Sequence, residues 1–203
     1  MQKSASPAAD RSVKYERLDD TIDSTLLTHR RLFISRSIDM ELAEEVIRKI
    51  WFLEYSSPTE GVVLVINSPG GSIDAGFAIW DQLKMMSFPL TTVVTGLAAS
   101  MGSVLALCAP KERRFATPRS RLLIHQPALG AAVEGQATDL EIQACEILKT
   151  KKQIVDLYCE ATGKGQAEIE KAIDRDRWMS AEEALQFGLV ERLATSYKEI
   201  EAL

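Results

Sequence analysis

Ser100 sits in the run Gly96-Leu97-Ala98-Ala99-Ser100-Met101-Gly102, between a β-rich stretch at 91–95 and an apolar helical stretch at 104–108. Its neighbours are too small to cover it. A serine at a strand-to-helix junction turns its hydroxyl away from the sheet and lies beside the first free N–H groups of the helix. That suits a nucleophile with a built-in site for an oxyanion. The surrounding glycines do not fit the G-x-S-x-G elbow of the α/β-hydrolases. A hydroxyl nucleophile needs a base, and the base needs a third group to hold its tautomer. The chain has two histidines. His29, in Thr28-His29-Arg30-Arg31, reads as a solvated loop residue. His125 closes the apolar run Arg121-Leu122-Leu123-Ile124. Alone it reads as a satisfied edge residue; with Ser100 upstream it reads as the base. Asp74, Asp174 and Asp176 all qualify as the third group, and spacing does not choose among them.

The elements that must position these residues follow from periodicity. Arg31–Ser35 is a short strand, and Asp39 caps a helix whose apolar residues run from Leu42 to Leu53 at helical spacing. Val62-Val63-Leu64-Val65-Ile66 is a β-branched run of the kind buried on both faces of a parallel sheet. Gly70 and Gly71 follow it directly, where glycine permits positive φ or close backbone approach; a tight turn is the simpler reading. A helix over about 75–86 then leads to the strand that feeds Ser100. Strand, helix and strand describe a right-handed crossover between parallel strands. The glycine pair and Ser100 therefore emerge at one sheet edge, the carboxyl edge, where open α/β sheets bind ligands. Residues 113–116 and 121–125 read as strands joined by the turn Thr117-Pro118-Arg119-Ser120. Thr138-Asp139-Leu140-Glu141 reads as a capping box for a long helix over 138–161 with Gly163 behind it. Some ~24 residues at ~1.5 Å each make a rod about 36 Å long. Such a rod either lies across the sheet or protrudes and needs a partner subunit. A helix over 167–173 follows, then Ser180-Ala181-Glu182-Glu183 as a second capping box, with a short helix ending at Gly188.

At 203 residues the chain is most simply one domain, burying roughly 70% of its unfolded surface. Residues 1–17 lack periodicity and read as a mobile arm, leaving 18–203 as the domain. The net charge of −5 is spread along the chain, which argues against nucleic acid and anionic membranes as partners. No apolar run approaches a membrane span, and the N-terminal residues lack the apolar core of an export signal. Cys108, Cys145 and Cys159 have no metal-ligand spacing and read as free thiols in a reducing compartment, by default the cytoplasm.

Asn67-Ser68-Pro69-Gly70-Gly71, Ala98-Ala99-Ser100-Met101-Gly102, Ile124-His125-Gln126-Pro127, Gly135-Gln136-Ala137-Thr138-Asp139 and Asp176-Arg177-Trp178-Met179-Ser180-Ala181 resemble, in order, the proteolytic subunit of the Clp protease. The similarity covers about 31–193. It implies an α/β chain of the ClpP/crotonase-like fold, with repeated β-β-α units and a protruding handle at about 126–161. It implies a serine endopeptidase in which Ser100 is the nucleophile, His125 the base and Asp176 the aspartate. Gly71 and Met101 fall on the oxyanion-hole donors. Gly70, Ser72, Ile73, Gln126 and Pro127 fall beside an extended substrate strand, and Asp174 and Arg175 on contacts between rings. The implied assembly is stacked heptameric rings, alone or mixed with a paralogue. The implied substrates are unfolded polypeptides delivered by a separate AAA+ unfoldase. No cofactor or metal is implied. With no G-x-x-x-x-G-K-[ST] loop, ATP is left to the partner ATPase. The first 30 residues differ from the family's usual pattern, and the linker 128–134 is longer and poorer in glycine. A subunit dependent on a paralogue is the alternative. A crotonase-like acyl-CoA enzyme also pairs backbone N–H groups on an oxyanion, but has no need of a Ser–His pair here.

Overall fold

The computed structural model describes residues 7–128 and 134–201. Most of the expected linker departure, at 129–133, lies outside the described residues. Four strands, β1 (Arg31–Ile34), β2 (Val62–Ser68), β3 (Leu90–Ala99) and β4 (Arg114–Ala116), lie side by side and parallel. The short β7 (Arg192–Leu193) adds in parallel beside β4. The linking helices α2 (Met40–Ser56) and α3 (Ile73–Met85) are the crossovers that parallel pairing requires. Asp39 caps α2 as its position predicts, its carboxylate accepting from Leu42 N at 2.8 Å.

Alternation along β2 divides the interior. Val62, Leu64 and Ile66 enter the main core with Leu42, Val46 and Ile50 of α2 and Ile79 of α3. Val63 faces the other way, with Val93, Phe115 and Ala194 in a smaller cluster. The predicted turn at 117–120 exists, with Ser120 N donating to Thr117 O at 2.9 Å, but it does not make a hairpin. β4 and β5 (Arg121–Ile124) lie in series along β3, both parallel to it. β4 pairs with Thr92–Val94 and β5 with Leu97–Ala99. β3 is 10 residues long, roughly 33 Å at ~3.3 Å per residue, which leaves room for both.

A bulge makes this possible. Between β2 and β3 the register jumps from Ile66↔Val94 to Ser68↔Ala98. Gly96 takes φ 83° there, and the Asn67 side chain accepts from Leu97 N at 3.1 Å in place of a strand partner. The second half of β3 is thereby re-aimed at β5.

The long helix α5 spans Ala137–Thr162 and ends at Gly163 as predicted. Its expected capping box does not form. Gln136 stands at the cap without a side-chain bond, so Thr138 is already inside the first turn. Only Ile154, Val155, Tyr158 and Ala161 of α5 are buried, and Leu148 is 62% exposed. The helix therefore protrudes, which decides between the two sequence expectations. Toward the N-terminus, α1 (Pro7–Thr28) is helical where the sequence predicts an arm without periodicity. The expected arm covers only 1–17; beyond it Leu18, Ile22 and Leu26 recur at i, i+4 and i+8 along the second half of α1. After α5 come α6 (Gln166–Ile173), β6 (Arg177–Ser180), α7 (Ala181–Phe187) and, beyond β7, α8 (Tyr197–Glu201).

The second capping box forms as predicted. Ser180 Oγ accepts from Glu183 N at 3.2 Å, and Glu183 Oε2 accepts from Ser180 N at 2.7 Å. Removing it with Ser180→Ala is expected to cost about 1 kcal/mol. A thermal melt is expected to show the midpoint falling by about 2–4 °C.

Candidate active site

Ser100 joins β3 to α4 (Met101–Leu105), with φ 54° and ψ −125°. Positive φ is uncommon for any residue with a Cβ. Although Ser100 occupies the cap position of α4, its hydroxyl makes no capping bond. It lies instead 2.8 Å from His125 Nε2.

Two ladders bring the partners together. The β3–β5 pairing ends at Ala99↔Leu123, and Ser100 N donates to Leu123 O at 2.9 Å. His125 then follows two residues beyond. β5 and β6 are antiparallel, with register running from Arg121↔Ser180 to Ile124↔Arg177. One step further along the same ladder sets His125 opposite Asp176. His125 Nδ1 is 3.6 Å from Asp176 Oδ1, longer than a hydrogen bond. The Asp176 side chain is 64% exposed and that of His125 only 26%. The other two carboxylates fall elsewhere: Asp74 is exposed in the first turn of α3, and Asp174 ends α6. Gln126 holds the Asp176 segment in place. Its N–H donates to Ile173 O at 2.6 Å and its side-chain amide to Asp174 O at 2.9 Å, while Lys151 Nζ of α5 donates to its Oε1 at 3.1 Å.

Gly70 and Gly71 form the floor beside the serine. Gly70 has φ 92°, and a Cβ there would come within 2.6 Å of Ala99 O and 2.7 Å of Ser100 Cβ. Gly71, at φ 152°, lies against Ile38; Ile38 N donates to Gly70 O at 2.8 Å and Ser72 N to Ile38 O at 2.7 Å. One edge of this extended segment is thus taken by the chain itself. The carbonyl of Gly70 and the N–H of Ser72 are already committed, so only the opposite edge, at Gly71, is left open. Met101 N–H, first in its helix, has no acceptor one turn back. Buried Ser68 secures the loop, its Oγ accepting from Gly70 N at 3.1 Å and donating to Arg36 O at 2.7 Å.

A cleft of about 90 Å³ opens at this point, lined by Gly71, Ile73, Ser100, Met101, His125 and Pro127 among others. Of the expected substrate-side residues, Ile73 and Pro127 line it, as do Gly71 and Met101, expected as oxyanion donors. Gln126 and the main chain of Ser72 serve internal contacts instead, and the Ser72 hydroxyl caps α3 by accepting from Ala75 N. Asp174 and Arg175 are exposed, on a charged hollow that Asp176 also lines, together with Glu168 and Lys171. His29 is exposed outside the site. No cluster suited to a metal ion occurs among the described residues. Sequence reasoning missed Asn67 and Ile38, whose roles depend on a bulge and a bridge between distant segments. It also missed Ser103, which hydrogen-bonds to the carbonyl of Ser100 at 2.7 Å.

A serine freed from capping duty, bonded to a histidine that faces a carboxylate at the carboxyl edge of a parallel sheet, is the chemistry of a serine hydrolase. Residues 14–197 match the Clp protease family. The chain is 59% identical over 184 residues to the ATP-dependent Clp protease proteolytic subunit 1 of Chlamydia trachomatis serovar D, covering 91% of this chain and 96% of that one. It is 57% identical over 186 residues to the corresponding subunit 1 of Protochlamydia amoebophila, covering 92% and 90%. It is 39% identical over 182 residues to subunit 2 of Treponema denticola, covering 90% of each chain. The chain belongs to the Clp protease family and is a serine endopeptidase of that family. Family chemistry of this kind needs no cofactor, and ATP is spent by a partner ATPase.

The contact at Gly70 yields a test. In Gly70→Ala the added methyl meets backbone and the Cβ of Ser100, with nowhere to retreat. Peptide hydrolysis is expected to fall at least ~10-fold from misplacement of Ser100. The circular dichroism of the folded chain is expected to persist.

Proposed function

We propose that Ser100 is the nucleophile, His125 the general base and Asp176 the group that orients the imidazole. The observation that carries this reading is the 2.8 Å contact between Ser100 Oγ and His125 Nε2, made by a serine that forgoes its cap. With the ring proton on Nδ1, facing Asp176, Nε2 accepts from the Ser100 hydroxyl. As Oγ attacks the scissile carbonyl, that proton passes to Nε2 and the carbonyl oxygen becomes an oxyanion between the N–H groups of Gly71 and Met101. Collapse of the tetrahedral intermediate breaks the C–N bond, and the imidazolium returns the proton to the leaving amine. Water, deprotonated by the same imidazole, then releases the acyl group from Ser100.

The substrate is an extended polypeptide pairing with the free edge at Gly71, with Ile73 and Pro127 bordering the cleft. Main-chain pairing of this sort tolerates sequence variation, which suits degradation of unfolded chains. The chain acts as a proteolytic subunit in stacked heptameric rings, with α5 as the handle reaching between rings and Asp174 and Arg175 at their junction. A separate AAA+ unfoldase feeds the chamber, in the cytoplasm. One observation favours a second reading, in which the ring is shared with a paralogue: relatives carry subunits numbered 1 and 2.

Ser100→Ala is expected to abolish peptide hydrolysis and fluorophosphonate labelling, while sedimentation shows assembly unchanged. Labelling that survives the substitution refutes the assignment. If the purified chain stays small and silent until a second subunit is added, the mixed ring is the correct form.

A further inference from the structure

Behind the nucleophile lies a pair of buried hydroxyls that the mechanism above does not use. Ser103, on α4, is fully enclosed, and so is Tyr158 at the rooted end of α5. Ser103 Oγ donates to the carbonyl oxygen of Ser100 at 2.7 Å and lies 2.7 Å from the Tyr158 hydroxyl. A serine hydroxyl has one proton to give. Since that proton goes to the Ser100 carbonyl, the Tyr158 hydroxyl must be the donor to Ser103 Oγ. Burial pushes the Tyr158 phenol up from its ordinary range, which keeps it protonated and able to donate. The hydrogen bonds thus run in one direction, from Tyr158 through Ser103 to Ser100.

The end of this chain matters more than its length. The carbonyl of Ser100 and the N–H of Met101 belong to one planar trans peptide and point in opposite directions. Whatever grips the oxygen aims the hydrogen. The same oxygen also accepts from Ser103 N at 2.9 Å and Val104 N at 3.3 Å, so one peptide group is held from several sides. Its tilt is set by the ψ of −125° at Ser100, a residue already in a disfavoured region. Hydrogen bonding to the carbonyl also polarises the amide and strengthens its N–H as a donor.

We propose that Ser103 and Tyr158 are positioning residues that fix the Ser100–Met101 peptide plane, so that Met101 N–H stays aimed at the developing oxyanion. The proposal rests on the reading of Ser100 as nucleophile and Met101 as an oxyanion donor. Neither hydroxyl touches the reacting atoms. Both act through a single peptide group.

The test measures rate per titrated active site in the assembled protease, using a peptide amide substrate and fluorophosphonate titration so that misfolded subunits are not counted. If assembly requires a second subunit, that subunit carries Ala in place of its own nucleophile. Ser103→Ala is expected to lower kcat roughly tenfold with KM held within about twofold, less than the ~100–1000-fold of losing an oxyanion donor outright. Tyr158→Phe, which keeps the ring and its packing, is expected to lose a few-fold. The double variant is expected to match Ser103→Ala alone, because Tyr158 works only through Ser103. Affinity for a peptide aldehyde, whose adduct is itself a tetrahedral oxyanion, is expected to fall in step with kcat/KM. Wild-type rates per site in both single variants, or losses that multiply in the double variant, overturn the proposal. Should Ser103→Ala fail to assemble, Tyr158→Phe and the aldehyde measurement decide it. Hydrolysis surviving in Ser100→Ala would instead remove the reading of the nucleophile on which it rests.

Discussion

Ser100 holds a backbone conformation that residues with a side chain avoid, at a cost of about 1–3 kcal/mol. The surrounding chain accounts for its persistence. Its N–H is tied to Leu123, its carbonyl is held by the first turn of α4, and Gly70 lies so close that no other side chain fits. Relaxing φ would break the pairing with β5 or push the serine into the glycine loop. The strain lifts Oγ off the helix cap and hands it to His125. The position of the Ser100 hydroxyl is thus fixed by backbone contacts from two directions.

The remaining geometry is a matter of strand register. The β2–β3 register shifts at Gly96, between the stretch of β3 that pairs with β4 and the stretch that pairs with β5 and ends at Ser100. The antiparallel β5–β6 ladder then selects one carboxylate. Asp176 stands directly opposite His125, whereas Asp174 lies two residues further from the ladder at the end of α6. Strand pairing has a period of two residues, so a slip of one would turn the carboxylate to the opposite face of the sheet.

These facts explain what could be read from the sequence. The β-branched run of β2, the cap at Asp39 and the capping box at Ser180 are local signals, and each produces the element it predicts. Ser100 and His125 were legible because only one histidine ends a buried strand. The third member was not legible from spacing alone, since register between distant strands has no local signature; resemblance to a family pointed to Asp176, and the ladder supplies the physical reason. The capping box at Thr138 misled because helix α5 begins one residue earlier, at Ala137. The turn expected at 117–120 forms, but nothing local reveals that β3 is long enough to pair with the two strands it joins in series.

A single chain leaves much of its apolar surface unused. Leu148 and Ile142 on α5, Phe52 and Tyr55 on α2, and Met85 at the end of α3 are large and exposed, the pattern expected of a subunit whose neighbours complete it. The rod is also anchored to the catalytic frame at two places. Lys151 reaches Gln126, which holds the segment bearing Asp176, and Tyr158 reaches Ser103, which grips the carbonyl of Ser100. One brace serves the Asp176 side of the site and the other the Ser100–Met101 peptide. The root of α5 is therefore part of the catalytic frame as well as the base of a protruding helix. A load applied to the rod by a neighbouring subunit would meet the site through these two contacts first.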